Sequence, residues 1–542
     1  MSAKEIACQV SYVPVQETGY FSKLVNDYVR EDRDLSSFYA FEINDAGLKK
    51  AIAARKEFKT DRDLLHSVIK EQYEGLELSE AVTENLERLR TANTFTVCSA
   101  HQPNLMTGYL YFIYKIIHSV KLAKHLKALD TASDFVPVFY IGSEDNDFDE
   151  LGHFRFAGKV FDWKTDQRGA VGMMTVDEPL ARLIKELSAL LGPSGVSEKQ
   201  LRSTIAKAYQ AGNSIARATR ILINDLLGFL GVLVLDANDA RLKRQFLPVI
   251  REEVLRPKAF EIVKQDSDRL NEVYKAQAFF RPINFFYLKD GLRERIELVH
   301  DEYVVLNSEI RFSPAEMAAE IEDHPERFSP NVILRGLYQE SILPDIAFIG
   351  GGSEVAYWMQ LKGLFQHYQV FYPAVVLRQS AVVLDQKTIE TQEKAGLDDR
   401  TMFTHTAELV QELVSAEKDA AWSLSDYFAT LENWKSELAD KYAKLDKNLQ
   451  GSVLSALAKA EAQFNILDKK INRSIKKGLE LRVDRIQNFK DHAFPNDSLQ
   501  ERYETFLPHY LNYGQSFFED LYQHTDPFGK QFLVLKYQNN DE

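Results

Sequence analysis

Residues 94–141 confine the chain to few folds. "TFTVCSA" (94–100) is an apolar, β-branched run that reads as a buried strand. "HQPNLMTG" (101–108) interrupts it with a proline and a glycine. Leu110, Ile113, Ile117, Val120 and Ala123 then recur every three or four residues, which predicts a helix from about Tyr109 to Lys127. A second run, Val136, Val138, Phe139, Tyr140 and Ile141, ends at Gly142-Ser143. Strand, loop, helix, strand is a βαβ unit, whose parallel strands bind ligands beyond their carboxyl ends.

Three more segments extend an α/β sheet: "GVLVLDAN" (231–238), "DIAFIGGG" (345–352) and "YPAVVLRQSAVVL" (372–384). Asp290-Gly291, inside "NFFYLKDGLRERIELVHDEYVVL", predicts a β-hairpin. The stretches from about 178 to 229 and 240 to 278 read as helical insertions. After residue 390 the pattern becomes helical, with apolar residues recurring every eleven positions. One set is Trp434, Leu445, Ala456 and Leu467; a second is Leu438, Leu449, Ala460 and Ile471; a third is Tyr442, Val453, Phe464, Ile475 and Ile486. This period suits a long antiparallel hairpin or coiled coil. The expected domains are a core over 1–390, a coiled coil over 391–505 and a segment over 506–542 that docks back on the core. An apolar stripe of that length predicts a homodimer.

Composition removes whole classes of function. A net charge of −14 disfavours broad contact with nucleic acid. Two cysteines, Cys8 and Cys98, form no disulfide framework, which fits a reducing cytoplasm. The longest apolar stretch, 221–238, is broken by Asn224 and Asp225, so no membrane span is expected. No zinc or EF-hand spacing is present, so no metal is expected.

Candidate site residues gather at the predicted strand ends. His101 and Gln102 leave the first strand, and Thr107 stands where the helix start could address an anion. Five carboxylates follow the second strand: Glu144, Asp145, Asp147, Asp149 and Glu150. The first two, Glu144 and Asp145, are the candidates to face the ligand crevice, with Asp147 beside them. Gly351, Gly352 and Ser353 form a loop that could turn N–H groups to a ligand, with Ser353 as helix cap. Arg378 and Ser380 lie inside an apolar strand. A guanidinium there needs an anion, either an acid of the 144–150 segment or a bound carboxylate or phosphate. Segment 468–490 holds eight bases against three acids, and Arg473 and Lys477 are its candidates for a nucleotide phosphate.

Four long segments identify a resemblance: "HQPNLMTGYLYFIYK", "FVPVFYIGSEDNDFDELGHF", "FSPNVILRGLYQESILPDIAFIGGGSEVAYWMQLKGLF" and "LQERYETFLPHYLNYGQSFFEDLY". Together they resemble the BshC family, the cysteine ligases of bacillithiol biosynthesis. The resemblance implies a Rossmann-like core with helical insertions, a coiled-coil domain that dimerises, and the joining of cysteine to glucosaminyl-malate. The family often has Gly-Glu-Asp-His-Asp where this chain has Ser143-Glu144-Asp145-Asn146-Asp147, so no imidazole acts there. Its Gly-Gly-Pro-Gly-Glu becomes Gly350-Gly351-Gly352-Ser353-Glu354, keeping the glutamate. Amide formation in water needs an activated carboxyl, so ATP, with ADP or pyrophosphate as product, is the expected co-substrate. His101 would then steady phosphate, Arg378 would meet a carboxylate or phosphate, and Glu144 or Asp145 would bind or deprotonate the amine. A nucleotidylyltransferase and a non-catalytic scaffold of the pathway are the alternatives.

Overall fold

The computed structural model describes residues 6–192, 195–418 and 422–539. These divide into two compact units. The larger comprises Val10–Val382 and Gln500–Leu535; the other holds Val383–Leu499 with residues 6–9 and 536–539.

The larger unit is organised by five parallel strands: β1 (Thr94–His101), β2 (Asp134–Ile141), β3 (Leu233–Asp236), β4 (Asp345–Gly350) and β5 (Ala374–Leu377). They lie in the order β5-β4-β1-β2-β3. The chain therefore starts in the middle, builds one side through β2 and β3, then crosses to build the other through β4 and β5. The switch point falls between β1 and β4, where open α/β sheets bind ligands. Register brings the strand ends level, with His101 opposite Ile141 and Gly350 opposite Leu377.

Helix α1 (Leu110–Leu129) closes the predicted βαβ unit. It is buried nearly all round, because it lies on the sheet and under the helix Ser516–His524. Two insertions of three helices each follow, Glu178–Leu190 with Val196–Ala208 and Ile215–Leu227, then Ala240–Gln245 with Leu247–Leu255 and Ala259–Leu270. The predicted hairpin forms: Phe285–Lys289 pairs antiparallel with Leu292–Val299 around Gly291, whose φ of +70° suits a glycine. The segment 372–384 is not one strand, as its apolar run suggested. It splits into Ala374–Leu377, in the parallel sheet, and Ala381–Leu384, in a separate three-stranded sheet. The break at 378–380 is where the Arg378 N–H bonds to the Gly350 carbonyl and the Ser380 carbonyl accepts from Leu533.

At the amino end of β4, Asp345 and Glu340 are both fully buried, and the Thr96 hydroxyl donates to Asp345. Burial raises both carboxyls, and the charge of Asp345 raises Glu340 further; Asp345 is pushed up to about 7 although the Thr96 and Glu340 hydrogen bonds oppose this. At least one proton is therefore kept in this pair near neutral pH.

The second unit is helical. Helices α4 (Ser425–Ala443) and α5 (Lys447–Gly478) form an antiparallel hairpin, turning at Lys444–Asp446, and Glu480–Ala493 follows. Tyr427 stacks on Phe464, and Lys435 pairs with Glu461 across the hairpin. The eleven-residue spacing runs straight through the turn, so it describes two helices and not one. Its sets also divide by face. Leu438, Val453, Phe464 and Ile475 are half-buried, whereas Trp434, Leu445 and Leu467 are 48, 79 and 45% exposed. Among the described residues no helix is long and apolar enough to cross a membrane.

Candidate functional site

A cavity of about 390 Å³ opens at the switch point. The end of β1 and the residue after it supply Ala100, His101 and Gln102; the segment after β4 supplies Gly351, Gly352, Ser353 and Glu354; the residue after β5 is Arg378. His101, Glu354 and Arg378 are brought together here, and Glu144 is not.

Helix α3 (Gly352–Trp358) begins directly after β4. Its cap is not Ser353, which is exposed within the first turn. Glu354 reaches back instead, and its Oε2 accepts the Gly351 N–H at 2.7 Å. Gly350 allows this closeness: a Cβ there would lie 3.0 Å from both Glu354 Cβ and Phe348 Cε1. The same Oε2 is 2.5 Å from Nζ of Lys115, which also donates to the Ala100 carbonyl at 2.9 Å. Lys115 comes from the buried face of α1; burial pushes its ammonium below the ordinary range, although Glu354 opposes this.

Arg378 does not pair with the acids after β2. Its Nη2 meets Glu501 Oε1 at 2.6 Å, and Glu501 also accepts from the Ser380 hydroxyl and the Ala381 N–H. Ser380 thus braces this pair and does not line the cavity. The Arg378 guanidinium lies over the Tyr111 ring, which in turn neighbours the His101 ring at 5.2 Å.

The opening acids behave differently from their expected role. Glu144 is buried away from the cavity in an ion pair with Lys243, whose Nζ also donates to the Phe328 carbonyl. Ser143 donates to Asp236 at the end of β3. The loop after β2 therefore turns toward β3, away from the switch point. Gly172 clamps it there, since any Cβ would fall 2.5 Å from that of Ser143. Asp145 faces the other way but is also committed. Its carboxylate takes both terminal nitrogens of Arg335 and lies 3.2 Å from Arg293. Burial alone would raise it; Arg335 and Arg293 hold it below the usual carboxylate range. Neither acid is free to bind an amine. Asn146, in place of the family's histidine, exchanges two hydrogen bonds with Arg293. Asp147 is exposed and outside the cavity, whereas Glu150 lines it.

Thr107 is also displaced from its expected role. It is buried outside the cavity, and the Leu110 N–H at the helix start already bonds to the Glu504 carbonyl. Arg473 and Lys477 are exposed on α5, in the other unit. The residues that sequence reasoning missed are Lys115, Arg335, Tyr357 and Arg502, all lining the cavity. A lone cation inside an apolar helix, as in "YLYFIYKIIHSV" and "NVILRGLYQ", was the available signal.

The comparisons agree with this architecture along the whole chain. The model of the bacillithiol biosynthesis BshC N-terminal Rossmann-like domain matches residues 8–379, and that of the C-terminal coiled-coil domain matches 381–537. The chain belongs to the BshC family. Relatives named "Putative cysteine ligase BshC" include one from Flavobacterium johnsoniae, 35% identical over 96% of this chain and 99% of its own length. Another, from Cytophaga hutchinsonii, is 36% identical over 96% of this chain and 98% of its own. The β5-β4-β1-β2-β3 order is the Rossmann-like core of the family, and α4–α5 lies within the region matched by its coiled-coil domain.

Proposed function

We propose that this BshC-family chain is a cysteine ligase acting in bacillithiol biosynthesis, joining the cysteine carboxyl to the amine of glucosaminyl-malate. The observation that carries the reading is the cavity at the β1/β4 switch point, where two carboxylates, Glu354 and Glu150, sit among Lys115, Arg335, Arg378 and Arg502. The ammonium and guanidinium groups along its wall suit an acyl group whose oxygens gain negative charge during transfer. Glu354 keeps Oε1 without a hydrogen-bond partner among the described residues, and this oxygen takes the attacking amine in place of Glu144 or Asp145.

Activation by ATP belongs to the same proposal, because the carboxylate needs a leaving group. Incubating the protein with ATP and measuring pyrophosphate or ADP, with and without cysteine and glucosaminyl-malate, tests it. Release that requires both substrates supports the ligase. Release without cysteine favours a nucleotidylyltransferase, and no release favours a scaffold. Arg473 and Lys477 are the proposed phosphate contacts; unchanged ADP affinity in the Arg473→Ala/Lys477→Ala protein rules them out.

The proposed assembly is a homodimer through the exposed face carrying Trp434, Leu445 and Leu467. Light scattering should find a dimer at micromolar concentration, and Leu445→Glu with Leu449→Glu should shift it to monomer. A cooperatively folded wild-type monomer would sink this part.

A further inference from the structure

His101 has its two ring nitrogens in unequal surroundings. The backbone N–H of Gln102 donates to Nδ1 at 2.9 Å. A nitrogen that accepts a hydrogen bond carries no proton, so in the neutral ring the proton is on Nε2. Nε2 is sheltered from solvent and has no partner among the described residues. A buried donor left without an acceptor is costly, which makes it a place where a ligand gains by supplying one. The ring borders the cavity and is packed between Tyr111 and Phe112, so it is held in orientation.

We propose that His101 is a neutral hydrogen-bond donor, through Nε2, to an anionic oxygen of the ligand in the cavity, and takes no part in proton transfer. This rests on the ligase reading for the ligand's identity, but the state of the ring does not. The charged groups acting on it are Lys115, Asp145 and Arg378. Burial, then the two cations, hold the imidazole well below its ordinary range, with only Asp145 opposing. Gaining a proton on Nδ1 would also break the bond from Gln102. A neutral donor fixed before the ligand arrives stabilises developing negative charge without a proton passing to and fro. The ligand oxygen belongs either to a carboxylate or to a phosphoryl group; both chemistries fit a single N–H donor.

Two arms test the inference. In full-length protein labelled with [15N]histidine, the His101 signals are those absent from His101→Gln. They should show a protonated Nε2 and bare Nδ1 throughout pH 5.5–8. A proton on Nδ1, or a midpoint near 6.5, overturns the proposal. Adding inorganic phosphate or L-malate at millimolar concentration should move the Nε2–H resonance. Whichever acts identifies the oxygen's source, and silence with both overturns the proposal. In the ligation assay, His101→Ala should lose about 100- to 1000-fold in kcat, the scale of one lost oxyanion donor. His101→Gln places an amide N–H near Nε2 and should stay within about tenfold of wild type, with the same pH profile. Equal losses in both variants, or an acid limb absent only from the glutamine variant, would mean proton transfer. If the wild-type chain ligates nothing, the ligase reading fails while the spectroscopic arm still decides the state of His101.

Discussion

Two buried lysine–glutamate pairs stand at the carboxyl edge of the same sheet, and only one of them borders the cavity. Lys243 and Glu144, beyond β3 and β2, have side chains 0 and 6% exposed. Lys115 and Glu354, beside β1 and β4, are 5 and 23% exposed. The chemistry is the same and the sheet position differs by two strands. The difference shows that topology, more than residue type, separates an enclosed ion pair from one that borders a cavity. On the β2–β3 side, Phe328, Gly172 and Asp236 close around the strand ends. At the switch point, the crossing chain leaves the cavity open between the strand ends.

Removing one partner of the closed pair gives the largest expected effect. Lys243→Met leaves a buried carboxylate without its cation and should cost about 3–5 kcal/mol, read as a large drop in the urea midpoint. Glu144→Ala, at a residue the sequence offers as a site acid, should likewise destabilise. A Lys243→Met/Glu144→Leu protein should recover most of the loss, because the charge burial is relieved from both sides. If Lys243→Met is as stable as wild type, the distinction between the pairs collapses.

The open pair should respond in the opposite sense. Lys115→Met should reduce ligation by about 100- to 1000-fold, since a donor at the developing charge is lost. Its stability cost should be roughly half that of Lys243→Met or less, because Glu354 can turn to solvent. Equal destabilisation in the two lysine variants would break the comparison.

How far this was legible depends on where each partner lies in the chain. His101, Glu354 and Arg378 stand directly after apolar strands, so strand pattern and topology alone place them on one edge. The partner of Glu144 is 99 residues away, and that of Arg378 is 123 residues away. No local pattern names either, so acids that look alike in "GSEDNDFDE" meet different fates. Asp290-Gly291 is local and was readable for that reason. The eleven-residue spacing marked the helices but hid their turn, because Leu445 keeps the period while sitting in the bend.

The smallest expected effect comes from Asp345 and Glu340, at the other end of β4. Their folded carboxyls are raised above the unfolded range near 4, both by burial and Glu340 also by the charge of Asp345. The folded state then holds more protons than the unfolded one between about pH 4 and 7. The pair's contribution to stability is full below this window and is lost as pH rises through it. Urea midpoints should therefore fall from pH 5 to pH 8, and Asp345→Asn should reduce that slope. An unchanged slope would show that the pair shares no proton in the folded protein.

Glu501 also has a consequence for synthesis. A ribosome that has completed residue 390 has made every strand of the parallel sheet and Arg378, but not the carboxylate that Arg378 requires. The whole stretch Val383–Leu499 must be translated first. During that interval the guanidinium either stays hydrated or the end of β5 stays open, so the cavity matures last. A chain stopped before residue 500 should be recognised by the cell as unfinished, however complete its sheet.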